Sequence, residues 1–147
     1  MLLACSLVVA ASLSVTASAP VASAPVAQSV DILVFDTSLR RFITVADSGT
    51  HDRRLDWSTD GCSAPFINGT GLSFDFTPSC RRHDFAYRNY SRIDDGRHWT
   101  SKMRAKVDAV FRRDMLDSCR SRPTTSRVRC RAWADIFYRA VRIYGGP

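Results

Sequence analysis

Two short stretches together gather two carboxylates, an imidazole and two thiols: Asp60-Gly61-Cys62, then Cys80-Arg81-Arg82-His83-Asp84-Phe85-Ala86-Tyr87. Two carboxylates held together in water repel each other and persist only when protonated, paired or bridged by a cation, and oxygen donors at short range suit a hard ion such as Ca²⁺. An imidazole beside such an ion has the makings of a general base for hydrolysis. A disulfide between Cys62 and Cys80 would hold their Cα atoms about 5.5 Å apart. Asp84, one helical turn or about 6 Å beyond Cys80, would then come close to Asp60. Gly61 can turn its carbonyl toward an ion because no Cβ stands in the way. The stretch therefore reads as a hydrolytic calcium site, with Asp60 and Asp84 as carboxylate ligands and Gly61 as a carbonyl ligand. Taken singly, its members have plainer uses: Asp84 as the i,i+4 partner of Arg88, Asp60 as the cap of a turn.

These groups need elements to hold them. Residues 77–90 start like a helix, with Thr77 as N-cap and Pro78 at the first helical position, where its missing N–H costs nothing. On that helix Cys80, Asp84 and Tyr87 share one side, and His83 points about 100° away from Asp84. Residues 56–76 carry Gly61, Pro65, Asn68, Gly69 and Gly71, which excludes a regular helix and suits a metal loop. Upstream, Phe35, Leu39, Phe42, Ile43 and Ala46 recur at helical spacing over 31–47, with Thr37 or Ser38 as cap. The polar connection 47–54 makes His51 an exposed loop histidine, and 90–99 reads as a loop in which His98 has no evident partner. A second helix begins at Ser101, with Met103, Val107, Val110, Phe111 and Met115 as its apolar stripe up to Cys119. Asp108 and Asp114 both touch that stripe, and periodicity does not choose between them. Residues 118–129 form an Arg- and Ser-rich turn. A third helix follows, with Cys130, Trp133, Ala134, Phe137, Ala140, Val141 and Tyr144 on one side and Gly145-Gly146-Pro147 as its stop.

A length of 147 residues suits one domain with one modest core. Residues 1–30 carry no charge, and the apolar run Leu2–Ala10 is too short to span a bilayer. Followed by Ala17-Ser18-Ala19 and Ala22-Ser23-Ala24, it reads as a secretory signal peptide over 1–30, leaving a domain over 31–147. Removal of Cys5 with that signal leaves Cys62, Cys80, Cys119 and Cys130, which allow three pairings. The two local pairings would each stabilise a small core by about 2–4 kcal/mol. An oxidising compartment favours bonding these thiols to each other over a zinc site of Cys62, Cys80 and His83. The formal charge of +7 favours anionic surfaces without choosing among lipid, nucleic acid and cell-wall polymer. Asn68-Gly69-Thr70 and Asn89-Tyr90-Ser91 match the N-glycosylation pattern. No repeat, transmembrane helix, phosphate loop or dinucleotide fingerprint is present.

Leu55-Asp56-Trp57-Ser58-Thr59-Asp60-Gly61-Cys62, then Phe74-Asp75-Phe76, then Cys80-x-Arg82-His83-Asp84-Phe85-x-Tyr87-Arg88-Asn89-Tyr90 closely resemble the secreted phospholipase A2 group of fungi and bacteria, from about Leu55 to Tyr144. Ala86 stands where that group usually has Gly. The resemblance implies an all-α, disulfide-stapled domain with two antiparallel active-site helices and a calcium-binding loop. It implies calcium-dependent hydrolysis of the sn-2 acyl ester of glycerophospholipids, with Ca²⁺ held by Asp60, Gly61 and Asp84 and His83 as the general base. Val107-Asp108-Ala109-Val110-Phe111-Arg112-Arg113-Asp114-Met115 matches the group's pattern, in which the first Asp partners the histidine; Asp108 takes that role, and Asp114 is left structural. Tyr87 is a positioning residue on the same grounds. The expected partner is a phospholipid membrane or micelle surface, with no nucleic acid, no obligate protein partner, a monomeric state and an extracellular location. Rival readings are a non-catalytic basic disulfide protein binding anionic membranes and a secreted ribonuclease.

Overall fold

The computed structural model describes residues 25–62 and 74–145. Its elements are α1 (Val26–Asp31), which runs on into a π-helical turn (Ile32–Asp36), α2 (Leu39–Asp47), α3 (Thr77–Tyr90), a 3-10 turn (Ile93–Gly96), α4 (Ser101–Ser118) and α5 (Thr124–Tyr144). No strand occurs among the described residues, in keeping with the all-α expectation. Cys5, the two small-residue triplets, Asn68 and most of the expected metal loop lie outside the described residues. No described helix is long and apolar enough to cross a membrane.

Local chemistry fixes the helix starts. Ser38 caps α2 by accepting the Arg41 N–H at 3.3 Å, while the Thr37 hydroxyl turns back to the Ile32 carbonyl at 2.7 Å. Thr100 caps α4 through the Met103 N–H at 3.1 Å, which gives the start at Ser101 read from the sequence. At α3 the expected cap is displaced. Thr77 lies inside the helix, and Asp75 Oδ1 accepts its N–H at 2.9 Å. A carboxylate is the stronger acceptor at a helix N-terminus and is favoured by the helix dipole. The turn expected over 118–129 is also shorter than read, since α5 already begins at Thr124 behind Pro123. Arginine is a good helix former, so the Arg-rich run joins the helix.

Two antiparallel pairings build the bundle. Arg82, early in α3, bonds Asp114 late in α4, and Tyr87, late in α3, reaches Arg104 early in α4. Cys119 at the end of α4 is bonded to Cys130 near the start of α5, and Arg104 donates to the Val141 and Arg142 carbonyls at the far end of α5. α3 stands between two apolar clusters. Cys80 joins Phe74, Phe76, Phe111, Met115 and Phe137, whereas Phe85, Ala86 and Tyr90 join Val30, Val34, Phe42, Leu55 and Val107. The second cluster draws in α1: Val30 is fully buried, and Asp31 accepts the Tyr90 hydroxyl. The helical run thus starts five residues before the domain start expected at residue 31.

Candidate active site

α3 delivers its polar residues to two places. Arg82 and Asp114 are buried as an ion pair, with Arg82 also donating to the Thr37 carbonyl at 2.6 Å. That is the structural use expected of Asp114. His83, a turn-neighbour of Cys80 and Tyr87, is almost fully buried and lines a cavity of about 370 Å³. Its ring lies between those of Tyr87 and Phe111, with centroids 4.2 and 4.6 Å away. Its Nε2 lies 2.8 Å from Asp108 Oδ1.

Asp108, fully buried on α4, accepts from three side chains. Oδ1 also takes the Tyr87 hydroxyl at 2.7 Å, and Oδ2 takes Arg142 Nη1 at 2.7 Å with Arg104 Nε 3.8 Å away. Burial alone would raise its pKa, but the bonds from His83, Arg142 and Tyr87 hold the carboxyl below its ordinary range. Burial and then the Asp108 bond push the Tyr87 phenol upward, so that hydroxyl remains a donor. Arg112, the other surface partner open to Asp108, pairs instead with Asp135 at 2.8 Å.

The acidic loop reaches the same cavity. Asn89 on α3 pins it by two bonds to one residue, accepting the Asp56 N–H and donating to the Asp56 carbonyl, both at 2.9 Å, with a further bond to the Phe85 carbonyl. Asn89 is buried, with its amide hydrogens engaged, so the second glycosylation pattern is closed to modification in the folded chain. The Cys62–Cys80 disulfide ties the other end, with Cα atoms 5.4 Å apart. Between these anchors Asp84 Oδ2 accepts the Thr59 hydroxyl at 2.5 Å and the Asp60 N–H at 3.2 Å, and Arg88 donates to Asp60 Oδ1 at 3.0 Å. Asp60, Gly61, His83, Asp84 and Tyr87 all line the cavity.

The donor set fits a hard cation. Burial and the neighbouring Asp60 charge push the Asp84 carboxyl above its ordinary range, a charge deficit that a cation relieves. Asp60, though burial opposes it, is held low by backbone and Arg88 hydrogen bonds. Gly61 adopts φ +73°, open to glycine at little cost, with nothing within 4 Å of where a Cβ would stand. The available ligands are two carboxylates and a carbonyl. Among the described residues no group of three or more His, Cys, Asp and Glu gathers as a metal cluster.

Some residues escaped the sequence reading. Arg142 comes from the far end of α5, 34 residues beyond Asp108, and Gly145, read only as a stop, packs so closely that an added Cβ would stand 3.0 Å from the Tyr87 hydroxyl. His51 is not exposed as expected: it is half-buried against Trp57, ring centroids 4.8 Å apart. His98 does have a partner, Asp94 at 2.7 Å, on the 3-10 turn.

A family model described as prokaryotic phospholipase A2 matches residues 30–145. The chain belongs to this family. It is 37% identical over 117 residues to a secretory phospholipase A2 of Beauveria bassiana (strain ARSEF 2860), a match covering 79% of this chain and 57% of that protein. It is also 37% identical over 143 residues to a secretory phospholipase A2 of Arthroderma benhamiae (strain ATCC MYA-4681 / CBS 112371), covering 90% of this chain and 93% of that one. Membership in the phospholipase A2 family places the chain among lipid-hydrolysing esterases.

Proposed function

We propose that this chain is a secreted, calcium-dependent enzyme that hydrolyses the sn-2 acyl ester of glycerophospholipids and works as a monomer at a lipid surface. The observation that carries this reading is that His83, bonded from behind to Asp108, opens onto the same cavity as Asp60 and Asp84. Because the Asp108 carboxyl is held low, it accepts a hydrogen bond, so Nε2 carries the proton and Nδ1 keeps its lone pair. His83 then takes a proton from water as that water attacks the ester carbonyl, and Asp108 stabilises the imidazolium. As the acyl C–O bond breaks, His83 returns the proton to the departing glycerol oxygen. Phe111, Phe137, Ala140 and Val141 supply an apolar wall for the acyl chain. Asp60, Asp84 and the Gly61 carbonyl would hold Ca²⁺, which when bound supplies positive charge to the ester carbonyl oxygen and the phosphate.

The test uses phosphatidylcholine with different acyl chains at its two positions. Hydrolysis should release only the sn-2 fatty acid, stop in EGTA and return with added Ca²⁺. Release from sn-1, or turnover undiminished in EGTA, would overturn the assignment.

A further inference from the structure

Five large apolar side chains stand markedly exposed among the described residues, and four of them, Val128, Ile136, Ile143 and Tyr144, belong to α5. Isolated exposed apolar residues are ordinary on a protein surface; a row on one element is not. At 100° per residue, Val128, Ala132, Ile136 and Ile143 fall within a sector of about 80° and extend over about 22 Å of helix. All four are exposed. The opposite side of α5 packs into the core through Cys130, Ala134 and Phe137. Ala140 and Tyr144 lie between the two faces and line the cavity, so the exposed row runs alongside its wall.

Charge identifies the occupant. Arg139 projects within the same sector and Arg129 at its edge. Both are exposed, and neither forms an ion pair among the described residues. Arg54, Arg81, Arg82, Arg88, Arg92 and Arg112 are each paired with an aspartate, whereas Arg129 and Arg139, like Arg131 on the same helix and Arg40, Arg41 and Arg53 elsewhere, have no aspartate partner among the described residues. An apolar row with unpaired guanidinium groups beside it has the composition of a helix lying in a lipid interface. A second copy of the chain fits poorly, because row-to-row packing would bring the arginines of two molecules with a charge of +7 each against one another.

We propose that the outer face of α5 is the surface by which the protein docks on anionic phospholipid, with Val128, Ile136 and Ile143 entering the boundary between headgroups and acyl chains and Arg129 and Arg139 meeting headgroup phosphates. The inference rests on the lipase reading for the identity of the surface, and the experiment separates the two.

Full-length protein is sedimented with vesicles of phosphatidylglycerol and phosphatidylcholine, or of phosphatidylcholine alone. Hydrolysis of a short-chain phosphatidylcholine below its critical micelle concentration is measured alongside. The double variant Ile136→Asp/Ile143→Asp should lose at least tenfold in vesicle partitioning and keep the wild-type rate on the monomeric substrate. Arg129→Gln/Arg139→Gln should lose about fivefold per arginine on anionic vesicles, with little change on phosphatidylcholine. Partitioning of both variants like wild type would overturn the docking face, as would a lipid-free dimer that either variant dissolves. Should the aspartate variant not fold, the arginine pair decides alone. Absence of short-chain hydrolysis by the wild-type protein counts against the lipase reading, while the vesicle result still judges the face.

Discussion

Asp108 receives more donors than a positioning carboxylate needs, and that surplus has a consequence. A carboxylate offers about four lone-pair sites; His83 and Tyr87 share Oδ1, and Arg142 occupies Oδ2. Arg142 therefore fixes the rotation of the carboxyl that in turn fixes the His83 ring. A charge-assisted bond is worth about 1.5–3 kcal/mol. Arg142→Gln is accordingly expected to lower kcat about tenfold with KM near wild type, and Arg142→Lys to recover most of the loss. In an Asp108→Asn background the same change should cost much less, because the group it orients is gone. A wild-type kcat in Arg142→Gln, or losses that simply multiply in the double variant, would remove Arg142 from this role. The sequence offered His83 as a base through its neighbours, but Asp108 as its partner only through the resemblance and not through periodicity, since Asp108 and Asp114 are both buried and both paired. It gave no hint of Arg142, which is 34 residues from Asp108 and at a helix position between the exposed and buried faces.

At the scale of elements, the acidic loop depends on what α3 offers it. Cys80, Asp84 and Asn89 lie along one helix and meet Cys62, Asp60 and Asp56 in turn, so the loop lies antiparallel to α3 like a strap fastened at both ends. The Cys and Asp members were legible because their chemistry is distinctive; Asn89 was not, having been read as a glycosylation site. The cap of α2 was legible as Thr37 or Ser38 and the start of α4 as Ser101, for the same local reason; the Thr100 cap itself was not read. α1 was missed because Val26–Asp31 carries too few apolar residues to show a period, and its stability comes from tertiary contact with Tyr90 and the second cluster. A chain starting at Asp31 loses buried Val30, a side chain whose burial contributes about 1.5–3 kcal/mol. Such a chain should melt several degrees below one starting at Pro25, compared by circular dichroism in the same buffer. Equal melting temperatures would show α1 to be dispensable for stability.

For the whole molecule, the balance of charge controls stability against pH as well as docking. Asp52 is lowered to about 2 by its bonds with Arg54, and Asp56 is lowered chiefly by its Ser58 bonds. Asp75, lowered by Thr77 bonds, and Asp108, lowered by His83, Arg142 and Tyr87 against burial, behave alike. Each binds a proton less readily folded than unfolded. Their contribution is therefore present above the ordinary carboxylate range near pH 4 and is lost as pH falls through the depressed folded values. Asp114 has the opposite sign: burial raises its carboxyl despite Arg82, so it costs stability at neutral pH and returns part of it on the way down to pH 4. Asp60 is lowered as well and Asp84 is raised; the five depressed groups outnumber the two raised ones, and the excess of arginine adds repulsion once the aspartates are neutral. The melting temperature measured with EGTA present should stay nearly level from pH 7 to 5 and then drop steeply toward pH 2. In Asp108→Asn the drop should be shallower, because one depressed titration is gone. A melting temperature level from pH 5 to 2, or an Asp108→Asn profile parallel to wild type, would mean that these hydrogen bonds do not hold the carboxylates ionised in the fold.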